Sequence, residues 1–206
     1  RNFENSAFFK NNKISGGIRT ILTDSKRNIW LGTFGNGLLL YRTKDQEFHQ
    51  IKKSENSKNH ISDNFIFSLF EDKSGTLFIG NFTNGINTTK IDQNHFELFR
   101  HKENDKSGLA ENITRHIYCQ DENTVWMGTL SKGLDKFNPN TGKFDHFPLS
   151  SLKKNKGPVA LQFVLPKNQN ELWIGTNKVG LLLYNHKTNT YKQYLHSDAE
   201  NSISGN

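Results

Sequence analysis

Ile29-Trp30-Leu31-Gly32-Thr33-Phe34-Gly35-Asn36-Gly37-Leu38 is the first of four copies of one motif. Leu77-Phe78-Ile79-Gly80-Asn81-Phe82-Thr83-Asn84-Gly85-Ile86 is the second and Val125-Trp126-Met127-Gly128-Thr129-Leu130-Ser131-Lys132-Gly133-Leu134 the third. The fourth is Leu172-Trp173-Ile174-Gly175-Thr176-Asn177-Lys178-Val179-Gly180-Leu181. The first glycines, at 32, 80, 128 and 175, lie 48, 48 and 47 residues apart, and a second glycine follows each by five. Repeats of this length are units that bury their faces only by stacking on one another.

Working outward from the motif, each unit reads as four short strands, a to d. In the first unit these are residues 18–23, 28–33, 37–42 and 47–51, separated by Gly, Asn, Asp and Ser. Strand b is apolar on successive residues (Ile29, Trp30, Leu31), where a strand with one wet face would alternate. Both of its faces are therefore expected to be buried, as in a blade held between two others. Large side chains keep the count. Tyr41, Phe137 and Tyr184 share a place in strand c, which Thr89 takes in the second unit, and Phe48, Phe96, Phe144 and Tyr191 open strand d. The first glycine of each motif suits close sheet packing and the second a turn. A phosphate-binding loop is disfavoured, because no helix opening on Lys-Ser or Lys-Thr follows.

The period divides the chain into blades at residues 14–60, 61–108, 109–157 and 158–206, the last including a lead-in to a further unit. Residues 1–13 come before them. Phe3 falls 48 positions before Ile51 and reads as the outer strand of a preceding blade. The expected fold is all-β, a β-propeller fragment of about four consecutive four-stranded blades, arranged as an open arc.

Only 33% of the 206 residues are hydrophobic, but they gather in periodic runs, so the chain reads as folded. No run approaches the roughly 18 apolar residues of a membrane span. The single cysteine, Cys119, excludes an intrachain disulfide and a cysteine metal cluster, and its apolar strand predicts an inert thiol. The net charge of +7 would suit an acidic partner, although most lysines lie in loops. None of the eight histidines falls in a compact ligand spacing, no Gly-x-Ser-x-Gly is present, and paired carboxylates are scarce. No catalytic residue, metal ligand or cofactor is assigned, and no nucleic-acid-binding module is recognised.

Two sets of residues remain as ligand candidates. Strand a is innermost in a blade, beside the channel, and its second position holds Arg19, Phe67, Arg115 and Gln162. Arginines there could hold carboxylate or sulfate groups. The b–c loops share a rim with the blade connections and offer Phe34, Asn36, Phe82, Asn84, Lys132, Asn177 and Lys178, flat rings and polar groups suited to a sugar.

With Ile18, Ile21, Asp24, Trp30-Leu31-Gly32-Thr33 and Gly37-Leu38 repeated down the chain, the sequence resembles the two-component regulator propeller repeats. These form the sensor domains of hybrid two-component systems of Bacteroides. The departures are Gln120 and Asn168 in the place of Asp24 and Asp72, Asn81 in the place of the threonine, and Phe78 in the place of the tryptophan. The Gly-His and Trp-Asp pairs of WD40 repeats and the kelch glycine doublet are missing. The resemblance implies a periplasmic segment of an inner-membrane protein that carries two seven-bladed propellers, a histidine kinase and a DNA-binding regulator. It implies an oligosaccharide ligand, the other blades of the parent as partners, and a homodimeric parent. A propeller enzyme, such as a polysaccharide lyase or hydrolase with His116 near its channel, and a pure protein-interaction scaffold are the alternative readings.

Overall fold

The computed structural model describes residues 17–54, 60–91, 96–105, 107–149, 159–198 and 202–203. The outer strand expected around Phe3 lies outside them. Among the described residues sixteen strands form four antiparallel sheets, each of four consecutive strands. The first blade is β1 (Ile18–Thr23), β2 (Ile29–Thr33), β3 (Leu38–Arg42) and β4 (Glu47–Ile51). The second is β5 (Ile66–Glu71), β6 (Thr76–Asn81), β7 (Ile86–Lys90) and β8 (Glu97–Phe99). The third is β9 (Thr114–Asp121), β10 (Thr124–Thr129), β11 (Leu134–Asn138) and β12 (Lys143–Phe147). The fourth is β13 (Leu161–Pro166), β14 (Glu171–Thr176), β15 (Leu181–Asn185) and β16 (Thr190–Tyr194).

The first strand of each blade lies against the first strand of the next, β1 on β5, β5 on β9 and β9 on β13. Among the described residues no comparable approach brings β13 back to β1, and no strand is shared between the first and fourth sheets. Three apolar clusters fill the three spaces between blades. One joins Trp30 and Leu40 to Ile66 and Ile79, the next Phe78 to Ile117 and Phe137, and the last Trp126 to Val164 and Tyr184. Blades thus cohere through side chains, with the backbone ladders running within each sheet.

Burial follows from this stacking. β10, between two blades, is buried at all six positions. β14, with a neighbour on one side only, alternates where β10 does not. Ile18 and Ile21 of β1, and Phe163 and Leu165 of β13, are exposed, and Ile21 is 64% exposed where its counterpart Val164 is fully buried.

The two glycines of the motif do different work. A Cβ on Gly32 would strike Ile66 of the next blade, and one on Gly128 would crowd Leu161, so bare backbone lets neighbouring blades approach. Gly37 has φ +75° and a Cβ there would run into the carbonyl of Ile51, a conflict repeated at Gly85, Gly133 and Gly180. The threonine between them caps the turn. Thr33, Thr129 and Thr176 donate their hydroxyls to the carbonyls of Gly37, Gly133 and Gly180 at 2.7–2.8 Å. Asn81 does the same with Nδ2 to Gly85 at 3.0 Å, which accounts for that departure.

The a–b turns show a second equivalence. Asp24 is 4% exposed and its Oδ2 accepts Trp30 Nε1–H at 2.9 Å. Gln120 Oε1 accepts Trp126 Nε1–H at the same distance, so glutamine replaces aspartate without loss of the bond. Asn168 falls one place later than expected. The ladder sets Leu165 opposite Trp173 as Leu22 is opposite Trp30, which aligns Lys167 with Asp24. Asn168 instead caps its turn by accepting the N–H groups of Asn170 and Glu171.

Candidate ligand site at the channel rim

Antiparallel alternation puts the b–c loops and blade connections on one rim and the a–b and c–d turns on the other. On the first rim the structure draws four phenylalanines together. Phe34 from the first b–c loop stands 4.8 Å from Phe65 and 6.3 Å from both Phe67 and Phe82, ring centroid to centroid. Phe67 and Phe82 are 5.2 Å apart. Backbone bonds fix the arrangement, Phe34 N–H to Gly17 and Phe82 N–H to Phe65, with Phe34 and Phe65 also forming a bridge.

Two arginines flank this cluster from the inner strands on either side. The Arg19 guanidinium carbon lies 5.1 Å from the Phe67 ring centroid and that of Arg115 lies 5.5 Å away, within cation–π range. Arg115 Nε is buried without a hydrogen-bond partner among the described residues. Two fixed cations on a flat apolar platform form a surface for an anionic ligand with an apolar face.

Two carboxylates of the same rim, Asp63 and Glu111, are already engaged. Asp63, 6% exposed, accepts the Thr83 N–H at 3.1 Å and hydroxyl at 2.7 Å, and Asn84 Nδ2 at 3.3 Å. Glu111 accepts the Ser131 N–H and hydroxyl at 2.6 and 2.8 Å. Asn64 staples the first two blades, its carbonyl accepting Gly35 and Gly37 N–H and its side chain that of Lys53. Asn112 repeats part of this on Gly85 and His101. The sequence signal for both was their 48-residue spacing in loops read as simple connections.

Residues 60–83, the lead-in and first two strands of the second blade, match the family described as two component regulator propeller. No curated protein is significantly similar to the chain. The extracellular domain of a protein described as a hybrid two component system of B. thetaiotaomicron matches with a TM-score of 0.77 and 20% identity, over 88% of this chain and 25% of its own. A second such domain from that organism matches with 0.73 and 20%, over 92% and 24%. Virginiamycin B lyase from Staphylococcus aureus matches with 0.65 and 12%, over 87% and 55%. At these identities the likeness is one of fold, and the chain spans about a quarter of the length of the two extracellular domains.

The matched segment contains Phe65, Phe67 and Phe82, so the phenylalanine platform is largely built by one blade. Of the other expected ligand residues, Asn36 is buried in its loop. It is 9% exposed, its backbone N–H goes to Thr33 Oγ1 and its backbone carbonyl accepts Gln50 Nε2. Asn84 is partly occupied by Asp63 and Thr83. Asn177 uses Oδ1 to accept Ala160 N–H at 2.9 Å. Gln162, Lys132 and Lys178 are exposed.

The histidines also differ from a plain surface set. His146 Nδ1 is 2.8 Å from Asp135 Oδ1, and Asp135, 1% exposed, also accepts Ala110 N–H. Burial raises the Asp135 carboxyl above the usual range, against the lowering effect of these bonds. Burial lowers the His116 pKa from its ordinary value, and its Nδ1 accepts the Val164 N–H at 3.2 Å. Cys119 is half-buried and its thiol is pushed up to about 11, first by burial and then by Asp72 and Asp121, which agrees with an inert thiol. On strand β4 and the turn before it, Asp45, Glu47 and His49 come within 4.8 Å of one another, a grouping the sequence reading passed over because it spans a c–d hairpin.

Proposed function

We propose that the chain is part of an extracytoplasmic, ligand-sensing propeller of a hybrid two-component signalling protein, and that it recognises an acidic oligosaccharide on the rim built by Arg19, Phe67 and Arg115. The parent would be an inner-membrane histidine kinase with a periplasmic sensor, regulating genes for use of that sugar. The regulator propeller repeat and the extracellular domains of like fold support the class. The observation that carries the ligand is the flanking of Phe67 by two guanidiniums at 5.1 and 5.5 Å. A sugar ring lays its C–H face on phenylalanine, and its carboxylate or sulfate pairs with arginine.

Calorimetry of the complete ectodomain with acidic and neutral oligosaccharides tests this, together with the double variant Arg19→Ala, Arg115→Ala. Acidic sugars should bind the parent, and the double variant should lose at least tenfold in affinity. Equal binding by both proteins would dismiss the rim. Absence of any sugar binding by the ectodomain would favour a protein-interaction scaffold. The enzyme alternative is weakened by His116, the inner-strand histidine available for acid–base work, because its Nδ1 is already an acceptor for the next blade.

A further inference from the structure

The opposite rim holds a cleft of about 390 Å³ between the second and third blades. Two losses of volume on one cross-strand pair line it. The strand-b aromatic faces strand c as Trp30 with Leu40, Trp126 with Lys136 and Trp173 with Leu183, but as Phe78 with Thr88 in the second blade. Both members are smaller there. Among the described residues β8 pairs through three positions, Glu97 to Phe99. Phe78, Phe99 and Phe137 are left lining the space, with Phe99 and Phe137 4.9 Å apart.

Asp72 decides what such a space would accept. It stands six residues before Phe78, as Asp24 stands six before Trp30. In the first blade Asp24 Oδ1 accepts backbone N–H groups, and Oδ2 accepts the indole N–H and Asn28 Nδ2. Asp72 Oδ1 likewise accepts Ser74 N–H, Ser74 Oγ–H and Thr76 N–H at 2.7–2.8 Å. Its Oδ2 has no partner among the described residues, although Asp72 is 7% exposed and lines the cleft. A carboxylate oxygen thus meets a cleft from which the indole ring and its N–H are missing. Exposed Glu97 and Glu122 stand at the same cleft, and the ammonium of Lys90 is taken up by Ser74 and Thr76.

We propose that this cleft binds a small organic cation carrying a flat ring with an N–H donor, the chemistry of an indolylalkylamine. The ring N–H replaces the missing indole on Asp72 Oδ2, the ring lies over the phenylalanines, and the ammonium is drawn by Glu97 and Glu122. This site is independent of the arginine rim.

Tryptamine titrated into the full chain is the direct test, with indole-3-propionate as the same ring of opposite charge and glucose as a neutral polyol. Saturable tryptamine binding is expected, at least tenfold tighter than indolepropionate, with no saturable glucose binding. Phe78→Trp supplies the indole internally and Thr88→Leu refills the cleft, so each should weaken tryptamine at least tenfold. Arg19→Ala with Arg115→Ala should leave it unchanged, which separates this site from the sugar rim. No saturable binding, equal binding of either comparison compound, or indifference to both refilling variants overturns the proposal. Should those variants fail to fold, Asp72→Asn decides, and undiminished tryptamine binding to it is fatal.

Discussion

His116 Nδ1 accepts the backbone N–H of Val164 at 3.2 Å, a bond that crosses from the third blade to the fourth. Only the neutral imidazole can accept at Nδ1, and burial already disfavours the charged ring. Its folded-state pKa is depressed, so its stabilising contribution is whole above the ordinary histidine value of about 6.5 and is lost as pH falls through the lower folded value. Denaturant unfolding at pH 7.5 and 5.5 should show the parent losing more stability than His116→Gln, whose amide oxygen can still accept. Equal losses would remove His116 from the account.

Asp135 lies in the position that Asn87 takes one blade earlier. Asn87 Oδ1 accepts Ser62 N–H just as Asp135 Oδ2 accepts Ala110 N–H. An amide therefore suffices there, without a buried charge. Because burial raises the folded pKa of Asp135, its contribution is greatest at acid pH and is lost as pH rises through that value. Asp135→Asn should match or exceed the parent at pH 7, and Asp135→Ala should cost about 1–3 kcal/mol by orphaning Ala110 N–H. Thermal unfolding of the two variants distinguishes these outcomes.

Trp126 is fully buried between two blades, whereas Trp173 packs on Tyr194 and stays partly exposed. Trp126→Ala should cost on the order of 3–5 kcal/mol. Trp173→Ala should cost clearly less, and chemical denaturation that ranks them the other way would contradict the stacking described.

Gly75 and Gly85 form a controlled pair. Their φ angles are +76° and +73°, yet a Cβ on Gly75 meets open space and one on Gly85 meets the Phe99 carbonyl. Gly75→Ala should cost only the left-handed penalty of about 1–2 kcal/mol. Gly85→Ala should cost more by the collision, and similar unfolding midpoints for the two would argue against a tight b–c turn.

The blades were legible because packing residues recur. Successive apolar positions at Ile29-Trp30-Leu31 and the five-residue glycine interval foretold strand positions that the structure reproduces to within a residue. The rim was partly legible. Arg19, Arg115, Phe34 and Phe82 converge as their registers implied, but Phe65 went unnoticed because its counterparts Gly17, Ile113 and Ala160 share no chemistry with it. The burial of Asn36 was not legible, since an amide in a turn looks the same in sequence whether it is buried or open to solvent. The cleft was invisible because it is lined by Phe78 and Thr88, which pair across a ladder. The sequence showed the phenylalanine as a lone substitution.

The exposed sides of the first and fourth blades are unlike surfaces, aliphatic Ile18 and Ile21 on β1, and the uncovered side of β14 on the other. Each internal contact joins such a pair, the second strand of one blade leaning on the first strand of the next. A contact between unlike halves cannot be made twice about a twofold axis. Copies of this chain that met through those sides would add by rotation, one after another. They would close into a ring only where the accumulated turn completes a circle, and otherwise grow as an open helix.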